Sequence, residues 1–271
     1  MGTVSILDGL RRKLVADSVA SGRRADGRAL DEVRELTVEP GVIPKAEGSA
    51  RVRLGRTEVV TGVKVNPDRP FPDTGDRGTF ICTAEIPPLA HPDAEAGPPS
   101  EAVIELARVV DRGIRESHML DMSQLVIKRD VSVIGVFTDN AVIDNGGNLF
   151  DACSYASAAA ILSCKMPVWE MGEDAPRLVE GQSRDPPIAT VPVSVTMGRI
   201  GEHIIVDPSL EEWMCLDARL TITTNSEGNI CALQKGGLDG FTPEQLNSCA
   251  ETAISVGARV RPRLEAARQA R

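Results

Sequence analysis

The chain has 271 residues, 42% of them apolar and 25% charged, with a formal net charge of −9. That fits one large domain or two closely packed ones and excludes a fibrous or disordered protein. No uncharged run approaches the roughly eighteen residues of a membrane span, and Asp8, Arg11, Arg12 and Lys13 stand where a signal peptide needs an apolar core. A cytoplasmic protein without a membrane is therefore expected. The acidic balance argues against a nucleic-acid surface spread over the whole molecule, because phosphate binding depends on local cations.

Residues 4–20 read as an amphipathic helix, with Ile6, Leu7, Leu10, Leu14 and Val15 at helical spacing. A charged turn at 22–28 follows, then strand-like segments at about 34–39, 49–54, 57–65 and 79–86, rich in Val, Thr and Ile. Pro and Gly punctuate a loop at 67–76 and a second one at 87–99. Ser100 stands as N-cap of a helix over about 101–118. Segments 124–129, 131–138 and 140–144 read as strands running into a glycine turn, and a helix covers about 149–163. Strands near 188–197, 202–207, 216–224 and 229–235 precede a last helix over about 243–267. Strands followed by helices, twice over, predict an α+β (mixed α/β) chain. Its related halves, 1–190 and 191–271, should pack as one compact unit.

The glycine turn Asp144-Asn145-Gly146-Gly147-Asn148 opens the small-residue helix that begins at Leu149. Backbone amides and the helix dipole give such a turn the shape of a phosphate site. Its cation is missing: no Lys or Arg lies between Asp130 and Lys165, and Asp144 and Asp151 bracket the turn. The spacing does not match a dinucleotide fingerprint.

On the helix at 101–118, Val103, Leu106, Val110 and Ile114 share one side. Arg108, Arg112 and Arg115 fall within roughly a 60° sector opposite. Two readings stand: a solvated face laced by the pairs Arg108–Asp111, Arg112–Glu116 and Asp111–Arg115, or an arginine ridge facing a phosphodiester backbone. The 24 Arg against 6 Lys suit phosphate recognition but also follow from genomic base composition. The acidic stretch from Asp207 to Asp217 closes a strand; its carboxylates suit general acid catalysis or Mg²⁺, or plain solvation of a turn. The six cysteines (82, 153, 164, 215, 231 and 249) and three histidines are scattered without a Cys-x-x-Cys pair, so neither a metal site nor disulfides are expected.

Several runs carry a family likeness: Arg24-Ala25-Asp26-Gly27-Arg28, the stretch 47–57, Gly97-Pro98-Pro99, Glu105-Leu106-Ala107-Arg108-Val109-Val110-Asp111-Arg112, and the turn at 144–148. Together they resemble the RNase PH superfamily of phosphorolytic 3′→5′ exoribonucleases, and within it the non-catalytic RNase PH-type subunit of the archaeal exosome. The resemblance implies a duplicated β-α-β-α fold, ribosomal protein S5 domain 2-like. It also implies pairing with a catalytic sister subunit, a hexameric ring built as a trimer of such heterodimers, RNA-binding cap subunits, and single-stranded RNA as substrate. Phosphate, with Mg²⁺, would be used in the sister chain, with no cofactor bound by this one.

Catalytic relatives carry Gly-Ser/Thr-Arg where this chain has Gly147, Asn148 and Leu149. The resemblance thus makes these three a degenerate phosphate site and Asp207 and Asp217 a degenerate acidic site, leaving no catalytic residue. It makes Arg108 and Arg112, with Arg115 beside them, RNA-binding residues. The rival readings are an active phosphate-dependent 3′→5′ exoribonuclease, against which Leu149 stands, and a purely structural ring component without RNA contact.

Overall fold

The computed structural model describes residues 6–92, 94 and 97–268; the expected helical residues 4 and 5 lie outside that set, as do the side chains of Ile6 and Leu7. Helix α1 (Ile6–Ala20) docks through Val15 and Val19, which pack with Ile200, Ile205 and Cys215. Leu10 and Leu14, expected on the packed face, are exposed. Leu10 and Leu14 form one stripe and Val15 and Val19 another, about 140° away on the wheel, and of these two the Val15–Val19 stripe packs against the second half of the chain.

The first sheet contains β1 (Leu36–Pro40), β2 (Gly48–Leu54), β3 (Thr57–Asp68), β4 (Thr79–Glu85), β5 (Val126–Lys128) and β6 (Ser132–Asp144). Its order is β1-β2-β3-β6-β4, with β5 also on β6. Every pairing is antiparallel except β4 with β6, whose parallel register requires a crossover. Helix α2 (Glu101–Glu116) supplies it, capped as expected by Ser100, whose hydroxyl accepts from the Val103 amide. Residues 131–138 and 140–144 are one strand, β6, not two. The polar pair Asp139-Asn140 does not break it, because Asn140 is buried and satisfied: it accepts from the Thr61 and Ser157 hydroxyls at 2.6 and 2.9 Å and donates to Thr83 O at 3.0 Å.

Helix α3 (Leu149–Leu162) is buried from Phe150 through Leu162. It lies between β2, β3 and β6 on one side and the second sheet on the other. Its many Ala and Ser residues let the helix be gripped closely from both sides. A hairpin, β7 (Met166–Met171) with β8 (Pro176–Arg184), then runs along the surface. The sequence reading missed it, since its mostly exposed strands show neither alternation nor an apolar run.

The second sheet is antiparallel, in the order β10-β9-β11-β12, from β9 (Val193–Ile200), β10 (His203–Val206), β11 (Ala218–Thr224) and β12 (Ile230–Gly237). The stretch from 188 to 192 holds only an isolated bridge from Ile188 to Leu120, so β9 starts later than expected. One helical turn, α4 (Leu210–Trp213), sits within the acidic loop. Helix α5 (Pro243–Glu265) opens on a capping box from Thr242 and Gln245 with Pro243 in the first turn and covers β9 and β11.

Candidate functional site: a closed turn beside an open arginine ridge

The turn between β6 and α3 is occupied by the protein itself. Gly147 takes φ +94°, and a Cβ there would overlap the backbone of Ser209 and Leu210, so only glycine fits. The Leu210 amide donates to Gly146 O at 2.9 Å, and the Gly147 amide is taken by the Asn145 side chain at 3.1 Å. Asn148, left-handed at φ 52° and buried, caps α3. Its side-chain amide donates to Asp151 Oδ2 at 2.8 Å and to Asp207 Oδ1 at 2.7 Å. Leu149 follows, half-buried.

Asp207 is wholly buried, again at positive φ (51°). Arg34 grips it with a fork, Nε to Oδ2 at 2.8 Å and Nη2 to Oδ1 at 2.7 Å, and adds its backbone amide at 2.9 Å. Arg28 Nη1 lies 3.3 Å away. Burial pushes the carboxyl up, but the hydrogen bonds and charge of Arg34 outweigh it and hold Asp207 below the usual carboxylate range. Asp151 has no such cation. Burial raises it to about 7, against the hydrogen bonds from Asn148 and Thr196 and with a further push from Asp207. The helix N-terminus is thus faced by the protein's own carboxyls, with Asp207 as the anion. Arg34 also donates to Gly146 O and Gly147 O at 2.9 and 3.1 Å, so this cation under the turn is spent on internal acceptors.

The segment 24–34 is bound to the second half by a further buried pair. Arg24 forks onto Glu212 of α4, with Nε to Oε1 at 2.8 Å, and donates to Val206 O and Asp207 O at 2.6 and 2.8 Å. Arg24 outweighs the burial that would raise Glu212 and keeps that carboxyl low.

Asp217 is not part of this cluster. It pairs with Arg12 and accepts from the Gly201 amide at 2.8 Å. The Asp207 amide bonds Thr196 O and the Asp217 amide bonds Arg199 O, three residues apart along β9, or about 10 Å. The two acids read together from the sequence therefore lie apart, because α4 and its flanks carry the chain along β9 between them.

On α2, the three arginines separate as well. Arg108 and Arg112 line one groove of about 300 Å³ with Ile104, Glu105 and Gln234. Arg115 faces another, of about 810 Å³, with Phe71, Arg77, His118 and Asp121. Of the three helix ion pairs that the spacing permits, only Arg115–Asp111 forms, at 2.9 Å. Burial raises the Asp111 carboxyl, opposed first by Arg115. Arg108 is exposed and makes no hydrogen bond or ion pair among the described residues. Arg112 Nη1 donates to Gln234 Oε1 at 3.2 Å.

Between turn and ridge lies a cavity of about 190 Å³ lined in part by Asn148, Leu149, Phe150, Trp213 and Arg219. Among the described residues no cluster of three or more His, Cys, Asp or Glu could hold a metal ion, and no helix is long and apolar enough to cross a membrane. The sequence reading overlooked Arg34 and Arg219, and took Asp151 only as an acid bracketing the turn. The Ser209-x-x-Glu212 spacing was a readable signal for α4 as a capping box; nothing local marks Arg219.

Residues 32–167 match domain 1 of the 3′ exoribonuclease family, RNase PH, and residues 190–256 match its domain 2. The chain belongs to the RNase PH family of 3′ exoribonucleases. Within that family it is similar to the exosome complex component Rrp42 of Thermococcus gammatolerans, 44% identical over 94% of this chain and 93% of the relative. The Archaeoglobus fulgidus Rrp42 is 47% identical over 86% and 87%. Among solved structures, the Archaeoglobus fulgidus exosome with RNA bound to the active site superposes with TM-score 0.87 at 42% identity, covering 95% of this chain and 99% of that one. An archaeal exosome core superposes with TM-score 0.83 at 40% identity, covering 96% and 98%. The fold is RNase PH-like, as the motif resemblance implied.

Proposed function

We propose that the chain is a non-catalytic subunit of an archaeal exosome that acts in the cytoplasm. It pairs with a catalytic RNase PH-type subunit, closes a hexameric ring beneath RNA-binding cap subunits, and helps hold the 3′ end of single-stranded RNA while the sister chain performs phosphorolysis with inorganic phosphate and Mg²⁺. The observation that carries this reading is the closed turn. Where a phosphate would need amides and a guanidinium, Ser209 and Leu210 cover the backbone, Leu149 offers no charge, and Arg34 is spent on Asp207. The exposed Arg108, with Arg112 in the same groove, supports RNA contact through phosphates, which positions a substrate without doing chemistry.

The test is direct. The chain alone, given oligoadenylate, inorganic phosphate and Mg²⁺, should release no nucleoside diphosphate; co-expressed with a catalytic sister subunit it should elute as an active hexameric particle. Robust release by the lone chain overturns the reading.

A further inference from the structure

Glu105 sits three residues before Arg108 on α2, where helix geometry brings the two side chains within reach of an ion pair. Such a pair would neutralise the exposed end of the ridge. It does not form: the Glu105 carboxylate is bonded to Arg219 Nη2 of β11 and to Gln234 Nε2 of β12, the latter at 3.2 Å. Gln234 turns its other end, Oε1, to Arg112, so a neutral amide stands between the carboxylate and the second ridge arginine.

Arg219 is itself built in. Its guanidinium lies 4.4 Å from the ring centre of Phe150 and 5.3 Å from that of Trp213, and the two rings stack 5.8 Å apart. A flat, delocalised cation suits that position better than an ammonium. Across the β11–β12 ladder its partner is Gly236, and a Cβ there would overlap the guanidinium. Opposite strand, ring pair and carboxylate all make room for this one side chain.

The geometry points to Arg219 as a positioning residue for RNA binding: it holds Glu105 away from Arg108, keeping the ridge cationic toward phosphates. This rests on the RNA reading of Arg108 and Arg112. The wall of the cavity beside the turn thereby acquires a function, since the arginine anchored there sets the charge that the neighbouring groove presents.

The ring reconstituted with its sister subunit, titrated with fluorescein-labelled oligoadenylate over a range of salt, tests it. Arg219→Met should weaken binding about twofold to fivefold at low salt and make the salt slope shallower by up to about 0.7. Adding Glu105→Gln to that variant should restore both. Unchanged binding in Arg219→Met, or a loss that persists in the double variant, overturns the inference. If Arg219→Met fails to assemble, Gln234→Glu, which sets a carboxylate against Arg112 without changing side-chain size, should weaken binding in the same way, and unchanged affinity there overturns it. Should alanine at both Arg108 and Arg112 leave binding unaltered, the RNA reading itself fails. Should that variant weaken binding while Arg219→Met does not, only the role of Arg219 falls.

Discussion

The side-chain amide of Asn148 donates to the Asp207 carboxylate at 2.7 Å, which joins two features that lie 59 residues apart in the chain. Asn148 opens the central helix and Asp207 ends a strand of the second sheet, so this contact closes the seam between the halves at the glycine turn. The same amide also serves Asp151. A neutral donor thus bridges two buried carboxyls, of which Asp207 stays charged while Asp151 keeps its proton up to about pH 7.

Asn148→Ala should therefore destabilise the fold by about 3 kcal/mol, because the lost bond to the charged Asp207 costs about 1.5–3 kcal/mol and that to Asp151 about 1 kcal/mol more, the losses not being strictly additive. Urea unfolding of the purified chain checks this. A loss under about 1 kcal/mol would mean that the carboxylates find other donors.

Restoring the missing cation should not restore chemistry. Leu149→Arg, alone or with Asn148→Ser, should leave the chain without phosphorolytic activity toward oligoadenylate, since the Ser209–Leu210 backbone still covers the turn and Arg34 still neutralises Asp207. Release of nucleoside diphosphate by either variant would show that the covered turn and the Arg34–Asp207 pair were no obstacle.

Arg24 and Glu212 form a buried ion pair with nearly no solvent access. Removing one partner strands the other charge, and Arg24→Ala should cost about 3–5 kcal/mol. The combined change Arg24→Met with Glu212→Leu should cost less than Arg24→Ala, because no uncompensated charge remains. Denaturant midpoints of the two variants give the comparison.

Asp151 should leave a mark on the pH dependence of stability. Its native carboxyl titrates near 7, above its ordinary value of 3.8, so between these limits the native state holds a proton that the unfolded state releases. Stability from this group falls as pH rises through that window, by at most about 1.4 kcal/mol per pH unit. Asp207 and Glu212, both depressed, act oppositely: their contribution is complete above the unfolded values and is lost at more acid pH. Asp151→Asn should flatten the profile between about pH 4 and 7, whatever its constant offset in stability. An unchanged slope in that variant would assign the titration elsewhere.

Much of the fold was legible because its signals are local. Ser100 before an apolar-periodic run marked α2, and the Ala/Ser run after a glycine turn marked α3. The exposed hairpin at 166–184 was not legible, since its strands bury no alternating face. Nor could spacing show that Leu10 and Leu14 face outward, because two stripes compete on α1 and only docking chooses between them. At the site, Gly147, Asn148 and Leu149 announced a turn without a cation. That Arg34 lies beneath it, that Asp217 lies away from it and that Arg219 holds Glu105 are long-range pairings, set by which strands the sheets bring together.

Under the proposed function, this chain grips RNA through α2 without cleaving it. Salt-dependent binding of oligoadenylate to the reconstituted ring, with alanine at both Arg108 and Arg112, tests it most directly. Each lost phosphate contact should reduce the slope by about 0.7. The variant should thus bind more weakly, with a slope shallower by about 1.4 across unrelated single-stranded sequences, while Arg115→Ala, already paired with Asp111, changes little. Unchanged affinity and slope in the double alanine ring would contradict the account and leave a purely structural subunit.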